Sequence, residues 1–559
     1  MVRRLTRRTA LGAIAMSGSA VLPFACGGSK LGTKPSAATA PGGSPQRGGQ
    51  INLRASTDPF DWDLSYVGKS APNGGGMALA YNSLLGYKFG PGVDFADLTL
   101  KPALAEGWEV SPDATQFTFH LRRDVKFSNR APVGGRELTS ADVKWSYEYW
   151  SRTGAIAAKD LPKSQFDWFF EGLDAIETPD AYTVITRFRN PFVPFLSYAA
   201  ADFNPIVPHE LFDQYGSLKD HIAGSGAYQL DSENTQKGSR WVWKKNPDYW
   251  ESGKPYIDEI RWLVIEDDAA AAAAFRSKQL DMLGSGLSGR IGFTQAQQVR
   301  RDNPTAVEYS FSYPELTHVW INTRHKPLDD LRVRQAISLS IDRDEFVKNL
   351  LGGQGDWALA GAFPDTFSQT EIRQMMRHDP GQARQLLAAA GYPSGLDIEM
   401  TYPGKAYGDD FITLLQLFQS QLKQGGINIT LKSVDKDTES SGRKQGTYTI
   451  SITPGLSLEG DIDSYLFQFF HPSSKANYGG LNEPKLAALI EAQRQEPDAA
   501  KRKDLVRQAV RYINADLAYN FGLFYPRYHQ FWYPHVKNFA PNWGVSISNS
   551  PLTEAWVER

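Results

Sequence analysis

The stretch Leu121–Trp150 reads LRRDVKFSNRAPVGGRELTSADVKWSYEYW, and it decides how this part of the chain folds. Around its start, Phe117, Phe119 and Leu121 alternate with polar residues, a period of two that is typical of a half-buried strand. Pro132 and the glycines after it indicate a loop. Apolar residues then return at helical spacing. The stretch therefore predicts a strand, a loop and a helix of a mixed α and β domain.

The start of that helix carries a capping signal. Thr139 or Ser140 can cap the helix with a side-chain oxygen. Asp142 lies three residues after Thr139, the spacing of a capping box, in which the acid reaches back to the backbone of the cap. The helix face that follows is mostly apolar because its members recur at i, i+3, i+4 and i+7: Val143, Ser146, Tyr147 and Trp150.

The exact residues of the stretch are more specific than their periodicity. LRxxVKFS, a Gly/Pro loop and TSADVKWSYE closely resemble the signature of the family 5 extracytoplasmic solute-binding proteins of ABC transporters, among them dipeptide-, oligopeptide- and nickel-binding proteins. A second block, Asn322–Val347, resembles the same family. There Asp329 or Asp330 caps one helix, and Asp342 precedes another. The resemblance continues in separate blocks to the C-terminus.

The resemblance implies an α/β fold of the periplasmic-binding-protein-like type II class (cluster C), with two lobes, a hinge and an extra inserted subdomain. We expect lobe I to comprise residues 50–92, 222–312 and 530–559. The inserted subdomain of lobe I would be residues 93–221, and lobe II residues 313–529. Proteins of this kind bury their ligand between the lobes as the hinge closes.

The N-terminal segment is predicted to direct export and not to be part of the fold. Four arginines precede an apolar run, Ala10–Phe24, which is too short to span a membrane and is typical of a signal-peptide core. Thr6–Leu11 resembles a twin-arginine motif. Ala10 stands where that motif usually has a bulky apolar residue, so the twin-arginine and Sec routes both stay open.

Cys26 is the single cysteine of the sequence, and its surroundings resemble a lipoprotein processing site. An incidental cysteine in an ordinary signal peptide is the alternative. We predict a signal peptide at residues 1–25, lipidation of Cys26 and a flexible tether at 26–49, since that segment is rich in Gly, Ser, Ala, Pro and Thr. A lipid anchor would hold the protein at the membrane surface, in the periplasm or on the outer face.

Composition and motifs favour a binding protein over an enzyme. The net charge of −2 gives no support to a nucleic-acid partner, which usually meets a basic surface. The nine histidines form no metal-binding motif, and the chain has no P-loop, so we expect no metal or cofactor. Residues 284–289 match G-x-G-x-x-G, but in isolation from the strand, helix and acid of a dinucleotide site. A secreted hydrolase is the alternative from another class.

Asp461 is the most informative candidate for a ligand contact. In peptide-binding members of the family, an aspartate of the corresponding segment forms a salt bridge to the α-amino group of the peptide. Asp461 takes that position here, although Leu458, Ile462 and Ser464 replace the Trp, Tyr and Pro of the family pattern. The alternative is that Asp461 or Asp463 caps a local turn.

Two loops are further candidates, because the resemblance places them beside the cleft. The first follows an early strand, and the second follows a later one. Their residues are Ser56, Thr57 and Asp58 in the first loop, and Gly284, Ser285 and Gly286 in the second.

The sequence thus predicts a monomeric, lipid-anchored receptor outside the cytoplasm. It would capture a solute, with an oligopeptide preferred, and deliver it to the permease subunits of an ABC importer. An oligosaccharide or other non-peptide solute stays open for two reasons. Aromatic residues make up 12% of the chain and can line a cleft, and the segment around Asp461 departs from the peptide-binding pattern.

Overall fold

The computed structural model describes residues 43–559, except 60, 66–70, 96, 165, 285–290, 313–314, 365, 405, 408, 458–459 and 542–549. The predictions made for the export segment, Cys26, Ser285, Gly286 and Leu458 lie outside the described residues. Within the described residues, none of the helices has the length and apolar character that crossing a bilayer requires.

The strands of the described chain are numbered in chain order. They are β1 (Gln50–Ala55), β2 (Leu85–Tyr87), β3 (Leu100–Pro102), β4 (Ala105–Val110), β5 (Gln116–Leu121), β6 (Leu173–Asp180), β7 (Thr183–Phe188), β8 (Tyr228–Leu230), β9 (Arg240–Lys245), β10 (Glu259–Val264), β11 (Met282–Leu283), β12 (Val307–Ser312), β13 (Glu315–Ile321), β14 (Gly355–Trp357), β15 (Leu396–Tyr402), β16 (Ile427–Ser433), β17 (Ile450–Ser457), β18 (Phe521–Gly522), β19 (Phe524–Trp532), β20 (Val536–Lys537) and β21 (Trp556–Val557).

The α-helices are numbered in the same way. They are α1 (Ala71–Ala80), α2 (Ser140–Ser151), α3 (Phe195–Ala199), α4 (His209–Tyr215), α5 (Asp268–Arg276), α6 (Phe293–Asp302), α7 (Leu331–Leu339), α8 (Arg343–Leu351), α9 (Gln369–Met375), α10 (Pro380–Ala389), α11 (Asp409–Gln424), α12 (Lys436–Gln445), α13 (Asp463–Phe470), α14 (Pro484–Gln495) and α15 (Ala499–Arg511).

The largest sheet belongs to the part of the chain assigned to lobe I. Its strand order is β12-β19-β11-β1-β10-β9-β8, and β14 adds to β19. At its centre β1 is parallel to both β10 and β11, and the remaining pairs are antiparallel. The alternation of Ile51 and Leu53 puts apolar side chains into the core, where both are buried, and β1 is the early strand expected before Ser56.

The inserted subdomain holds a four-stranded antiparallel sheet, β4-β5-β7-β6, and α2 packs against β6 and β7. The predicted strand is β5, with Phe117, Phe119 and Leu121 buried. The predicted cap is also confirmed, because Thr139 precedes α2 and forms a capping box with Asp142. The Asp142 carboxylate additionally receives two hydrogen bonds from Arg136, at 2.6 and 2.9 Å.

The second lobe contains a sheet of order β17-β13-β18 and a parallel pair, β15 and β16. Asp330 accepts a hydrogen bond from the Arg332 N–H at the start of α7, so the cap predicted at Asp329 or Asp330 is confirmed at Asp330. Asp342, predicted to precede the next helix, also caps it, since it accepts from the Glu345 N–H of α8. Helix α8 ends at Gly352, whose φ of 57° is in the left-handed region that glycine tolerates.

Strand β19 connects the two lobes. It pairs with β12 of the large sheet through residues 527–532 and with β14 through residues 524–526. The consecutive strands β12 and β13 lie in different sheets. Such crossing strands are where a hinge between lobes can bend. The boundaries given above for the lobes and the inserted subdomain stay predictions.

The structure of residues 43–49 corrects the predicted end of the flexible tether. Their composition predicted a flexible tether up to residue 49, but they lie against the folded chain. The Gly48 N–H donates a hydrogen bond to the Tyr256 carbonyl at 2.8 Å, and the Arg559 N–H donates one to the Gln46 side chain at 3.1 Å. Hydrogen bonds to Tyr256 and Arg559, residues distant in the sequence that composition cannot reveal, hold this segment in place.

Candidate functional site

Asp461 lies at the boundary between the inserted subdomain and lobe II. Its carboxylate receives two hydrogen bonds from the Arg502 guanidinium, at 2.6 and 2.9 Å, a bidentate geometry that makes strong charge-assisted bonds. The Asp463 N–H donates to the same carboxylate at 2.9 Å, which is the local turn considered as the alternative role of Asp461. The Asp461 side chain is therefore held by other residues of the protein, Arg502 and Asp463.

The two lobes approach closely beside Asp461. Gly460 has a φ of 31°, and a Cβ at this position would lie 2.6 Å from Tyr87 Oη of lobe I. The Tyr87 hydroxyl donates to the Ser197 carbonyl at 3.1 Å, and the Ser197 hydroxyl lies 3.5 Å from the Asp461 carboxylate. Glycine fits here because its φ is positive and a Cβ would crowd the Tyr87 hydroxyl.

Asp463 is fully buried in the same boundary, and three side chains surround its carboxylate. The Tyr198 hydroxyl donates at 3.0 Å and the Gln493 amide at 2.6 Å, while Arg494 Nε lies 3.3 Å away. Burial raises the pKa of Asp463 above its ordinary value, although the charge of Arg494 opposes this. Tyr198 belongs to α3 of the inserted subdomain, so its hydrogen bond joins the subdomain to lobe II.

Arg494 makes a second connection between the lobes. Its guanidinium forms an ion pair with Glu171 at 2.8 Å and lies over the ring of Phe192, with 4.7 Å from Cζ to the ring centre. Both partners are in the inserted subdomain, whereas Arg494 is in α14 of lobe II. Hydrogen bonds, ion pairs and a ring contact thus join residues 171–198 to helices α13 and α14.

A polar and aromatic cluster lies in lobe II, on the face of β13 and β17 that carries Trp320. The Trp320 ring stacks on His318, with ring centres 4.1 Å apart, and its Nε1–H donates to Thr453 at 2.7 Å. Tyr465 of α13 shares a hydrogen bond with His318 Nδ1. Burial, together with the charge of Arg443, lowers the pKa of His318 well below its ordinary value, so this imidazole is neutral.

Helix α12 contributes the charged members of the cluster, one turn apart. Glu439 accepts a hydrogen bond from the Ser451 hydroxyl at 2.6 Å, and Arg443 Nε lies 3.5 Å from the same carboxylate. The Arg443 guanidinium is near the rings of Trp320 and Tyr478, 5.8 and 5.9 Å from their centres. Such distances allow a cation to interact with aromatic faces.

The cluster has unused hydrogen-bonding capacity. Within the described chain, four of its polar atoms are buried without a hydrogen-bond partner, namely His318 Nε2, Glu439 Oε2, Arg443 Nε and Tyr448 Oη. Buried polar atoms in native proteins are nearly always hydrogen-bonded, so these atoms mark a position where polar groups of a ligand or water can bind. The cluster is therefore a candidate ligand site.

The two loops expected beside the cleft have structural contacts of their own. Both oxygens of Asp58 accept hydrogen bonds within lobe I, from the Gly238 N–H and from Trp241 Nε1, each at 2.6 Å. Ser56 is partly buried and Thr57 is exposed. Gly284 has a φ of 86°, and a Cβ there would lie 2.4 Å from the His529 carbonyl, so its glycine is explained by packing against β19.

Sequence reasoning did not identify Glu439, Arg443 or Arg502. Each is a charged residue on a helix, where charge ordinarily indicates a solvated face. Their roles arise from residues distant in the sequence, such as Trp320 for Arg443. The aromatic content alone also did not show which rings line a cleft. Trp150, Trp243 and Trp262, for example, are fully buried in the core.

The chain is similar to a known family of binding proteins. Residues 99–477 match the family model of bacterial extracellular solute-binding proteins, family 5. The glutathione-binding protein GsiB of Salmonella choleraesuis (strain SC-B67) is 25% identical over 423 residues, which cover 74% of this chain and 78% of that protein. The dipeptide-binding protein of Escherichia coli (strain K12) is 25% identical over 449 residues, covering 77% and 80%.

A solved structure is also similar along nearly the whole chain. The periplasmic binding protein DppA from Helicobacter pylori, in complex with the peptide STSA, superposes with a TM-score of 0.75 at 22% identity. The superposition covers 92% of this chain and 99% of that one. The two proteins therefore share their fold along nearly the whole length of both chains.

Proposed function

Because the chain belongs to the bacterial extracellular solute-binding proteins of family 5, we propose that it captures an oligopeptide and delivers it to the permease subunits of an ABC importer. Membership makes it an extracytoplasmic binding protein of an ABC transporter and not an enzyme. Its fold is the periplasmic-binding-protein-like type II fold expected from the sequence. The oligopeptide, the lipid anchor at Cys26 and the delivery step are the proposed parts.

The lobe II cluster is the observation that carries the proposal. It combines aromatic faces with buried, unpartnered donors and acceptors, as a pocket for a polar solute requires. The amide groups of a peptide both donate and accept hydrogen bonds, so they match the mixture of Arg443 Nε, Glu439 Oε2 and Tyr448 Oη. The names of the dipeptide- and glutathione-binding relatives support the same ligand class.

Closure of the lobes would enclose the bound ligand between them. Tyr198 and Glu171 reach Asp463 and Arg494 across the boundary only when the lobes are together. A ligand shifts the balance toward this closed form by the difference in its affinity for the closed and open forms. The closed form with its ligand is then the species that the permease receives.

A non-peptide solute is the second candidate, and one observation favours it. The carboxylate of Asp461, expected to bind the amino group of a peptide, is already paired with Arg502. Hydroxyl groups of a sugar would satisfy the donors and acceptors of the cluster equally well, and aromatic faces suit sugar rings.

Native mass spectrometry of the purified mature protein, before and after denaturation releases bound material, tests the ligand class. A heterogeneous set of peptide masses would support the oligopeptide receptor. A sugar or a single non-peptide metabolite would contradict it and retain the binding-protein class. If the protein is empty, thermal shift against a pool of tri- and tetrapeptides and a pool of oligosaccharides makes the same distinction.

The lipid anchor has its own test. Cells that express the full chain are labelled with a radioactive fatty acid, and the protein is recovered from the membrane fraction. Label on the wild type that is lost in Cys26→Ser would support the anchor, whereas equal label in both, or none in the wild type, would contradict it.

A further inference from the structure

The strands β12 and β19 carry a row of polar side chains on one face of the large sheet. Ser310 lies opposite His529, and Ser312 lies opposite Arg527, in an unbroken antiparallel register. Side chains that are opposite each other, or two positions apart on one strand, project from the same face. These four residues form the β12–β19 row, and none of them belongs to the lobe II cluster.

Three atoms of the β12–β19 row have no hydrogen-bond partner within the described chain. They are Ser310 Oγ, Arg527 Nε and His529 Nε2, and all three are buried. The His529 side chain as a whole is only 1% exposed. Ser310 and His529 are a directly opposed pair, and Arg527 is one diagonal step away, so the three side chains are within reach of one small group. Buried polar atoms are nearly always hydrogen-bonded, so such a group is expected here.

Arg527 also lacks a partner for its charge. Among the described residues, no carboxylate forms an ion pair with this partly buried guanidinium. Asp356, at the same end of the row, accepts a hydrogen bond from the Ser312 hydroxyl at 3.1 Å instead. Water would satisfy the Arg527 Nε–H but would leave the positive charge unmatched, whereas an anion would do both.

His529 adds an acceptor to the row. Its Nδ1 lies 2.7 Å from the Glu308 carboxylate, which also receives two hydrogen bonds from Arg300. Because Glu308 is ionised in this setting, the His529 Nδ1 carries the proton of the neutral ring. The unpartnered Nε2 is then an acceptor, and it requires a donor from whatever binds here.

We propose that the β12–β19 row binds a small oxoanion that retains a proton, with hydrogen phosphate as the simplest example. One oxygen would accept from Arg527 Nε, the Ser310 hydroxyl would bind a second, and the protonated oxygen would donate to His529 Nε2. Sulfate and chloride carry no proton near neutral pH, so they leave the His529 acceptor unsatisfied. The site should therefore prefer phosphate to both.

The position of the row makes this a site beyond the proposed solute site. Residues 527–532 of β19 pair with β12, and residues 524–526 pair with β14. The lobe II cluster lies on the separate sheet of β13 and β17. An anion in the row would bind where β19 passes from one strand partner to the next, and it would stabilise the folded protein by mass action.

The first experiment titrates the purified protein with inorganic phosphate near neutral pH, with chloride exchanged to keep the ionic strength constant. Melting temperature and calorimetry are the readouts. We expect a saturable rise in melting temperature with phosphate, and an affinity for sulfate that is weaker by at least about tenfold. A rise that does not saturate would be a general salt effect and would overturn the inference. Equal affinities for phosphate and sulfate would also overturn it.

The second experiment changes the row. Arg527→Met should abolish the saturable effect of phosphate, and Ser310→Ala should weaken phosphate binding about three- to tenfold. Arg511→Met removes an exposed arginine from α15 and is the control, which should bind phosphate as the wild type does. If Arg527→Met does not fold, Ser310→Ala decides, because an unchanged phosphate affinity in that variant would contradict the site.

A further variant separates this site from the lobe II cluster. If Arg443→Met abolishes the effect of phosphate and Arg527→Met does not, phosphate binds the cluster and the inference fails, while the proposed solute receptor is untouched. If Arg527→Met removes the phosphate effect and leaves solute binding in place, the protein has two separate sites.

Discussion

Tyr198 in the inserted subdomain donates its hydroxyl to the buried carboxylate of Asp463 in lobe II, across 3.0 Å. The two residues are 265 positions apart in the sequence, so the bond depends on how the chain packs and not on its local structure. It lies beside the Arg494–Glu171 ion pair, which crosses the same boundary. Closure therefore depends on a few identifiable contacts that substitution can remove singly.

Replacing Tyr198 by Phe should weaken closure without emptying the core. The ring stays stacked on Phe169, while the hydroxyl that Asp463 accepts is lost. Leaving a buried acceptor short of a partner costs about 1–3 kcal/mol. We expect ligand affinity to fall by roughly five- to 100-fold, measured by calorimetry. Tyr215→Phe, at an exposed tyrosine, is the control, and equal affinities of the two variants would contradict the role of Tyr198.

Removing the Arg443 guanidinium should impair binding more than folding. Its Nε is one of the unpartnered buried atoms of the cluster, so the hydrogen bond it would give to a ligand is lost in Arg443→Met. We expect at least tenfold weaker binding, or about 1.4 kcal/mol. The control is Lys444→Met, at the next, exposed position of α12. A large fall in melting temperature with unchanged ligand affinity would instead assign Arg443 a structural role.

The Asp142 carboxylate should contribute strongly to stability. It is almost fully buried, completes the capping box of α2 and receives a bidentate pair from Arg136. Asp142→Ala removes the cap and leaves Arg136 with fewer partners. We expect the free energy of unfolding to fall by about 3 kcal/mol in urea titrations. Asp437→Ala, in the exposed first turn of α12, should change it by under about 0.5 kcal/mol.

Acid should destabilise the protein through Glu308. Partial burial favours the neutral carboxyl, but hydrogen bonds from His529 and Arg300 outweigh this and lower the pKa of Glu308 to about 2. A depressed carboxyl pKa adds stability above the unfolded-state value near 4.3 and loses it as the pH falls toward 2.

The test is urea unfolding of wild type and Glu308→Gln at pH values from 6 to 2. The wild type should lose more stability than the variant over this range, because only the wild type has a carboxylate there to protonate. Parallel losses in the two proteins would show that other groups cause the acid sensitivity.

Local elements were predictable from the sequence where the signal is local. The alternation at Phe117 to Leu121 predicted β5, and Thr139 with Asp142 predicted the capped start of α2. Asp330 and Asp342 likewise predicted the starts of α7 and α8. For the caps, the donor and the acceptor lie within a few positions of each other, and for β5 the apolar alternation is itself contained in one short segment.

The site was less predictable, because its partners are far apart along the chain. The resemblance singled out Asp461, and the segment does lie at the boundary of the lobes. Its pairing with Arg502 joins residues 41 positions apart through the packing of α14 and α15. Arg443 likewise lies near the rings of Trp320, in β13, and of Tyr478, which are distant from it in the sequence.

The sequence by itself determined local elements such as β5 and the capped starts of α2 and α7, and its two characteristic blocks predicted the family. Only the tertiary structure decided which charges are paired and which buried atoms lack a partner. The physical reason is that capping and periodicity depend on neighbours along the backbone. The pairing of Asp461 with Arg502, by contrast, depends on which helices pack together once apolar side chains are buried.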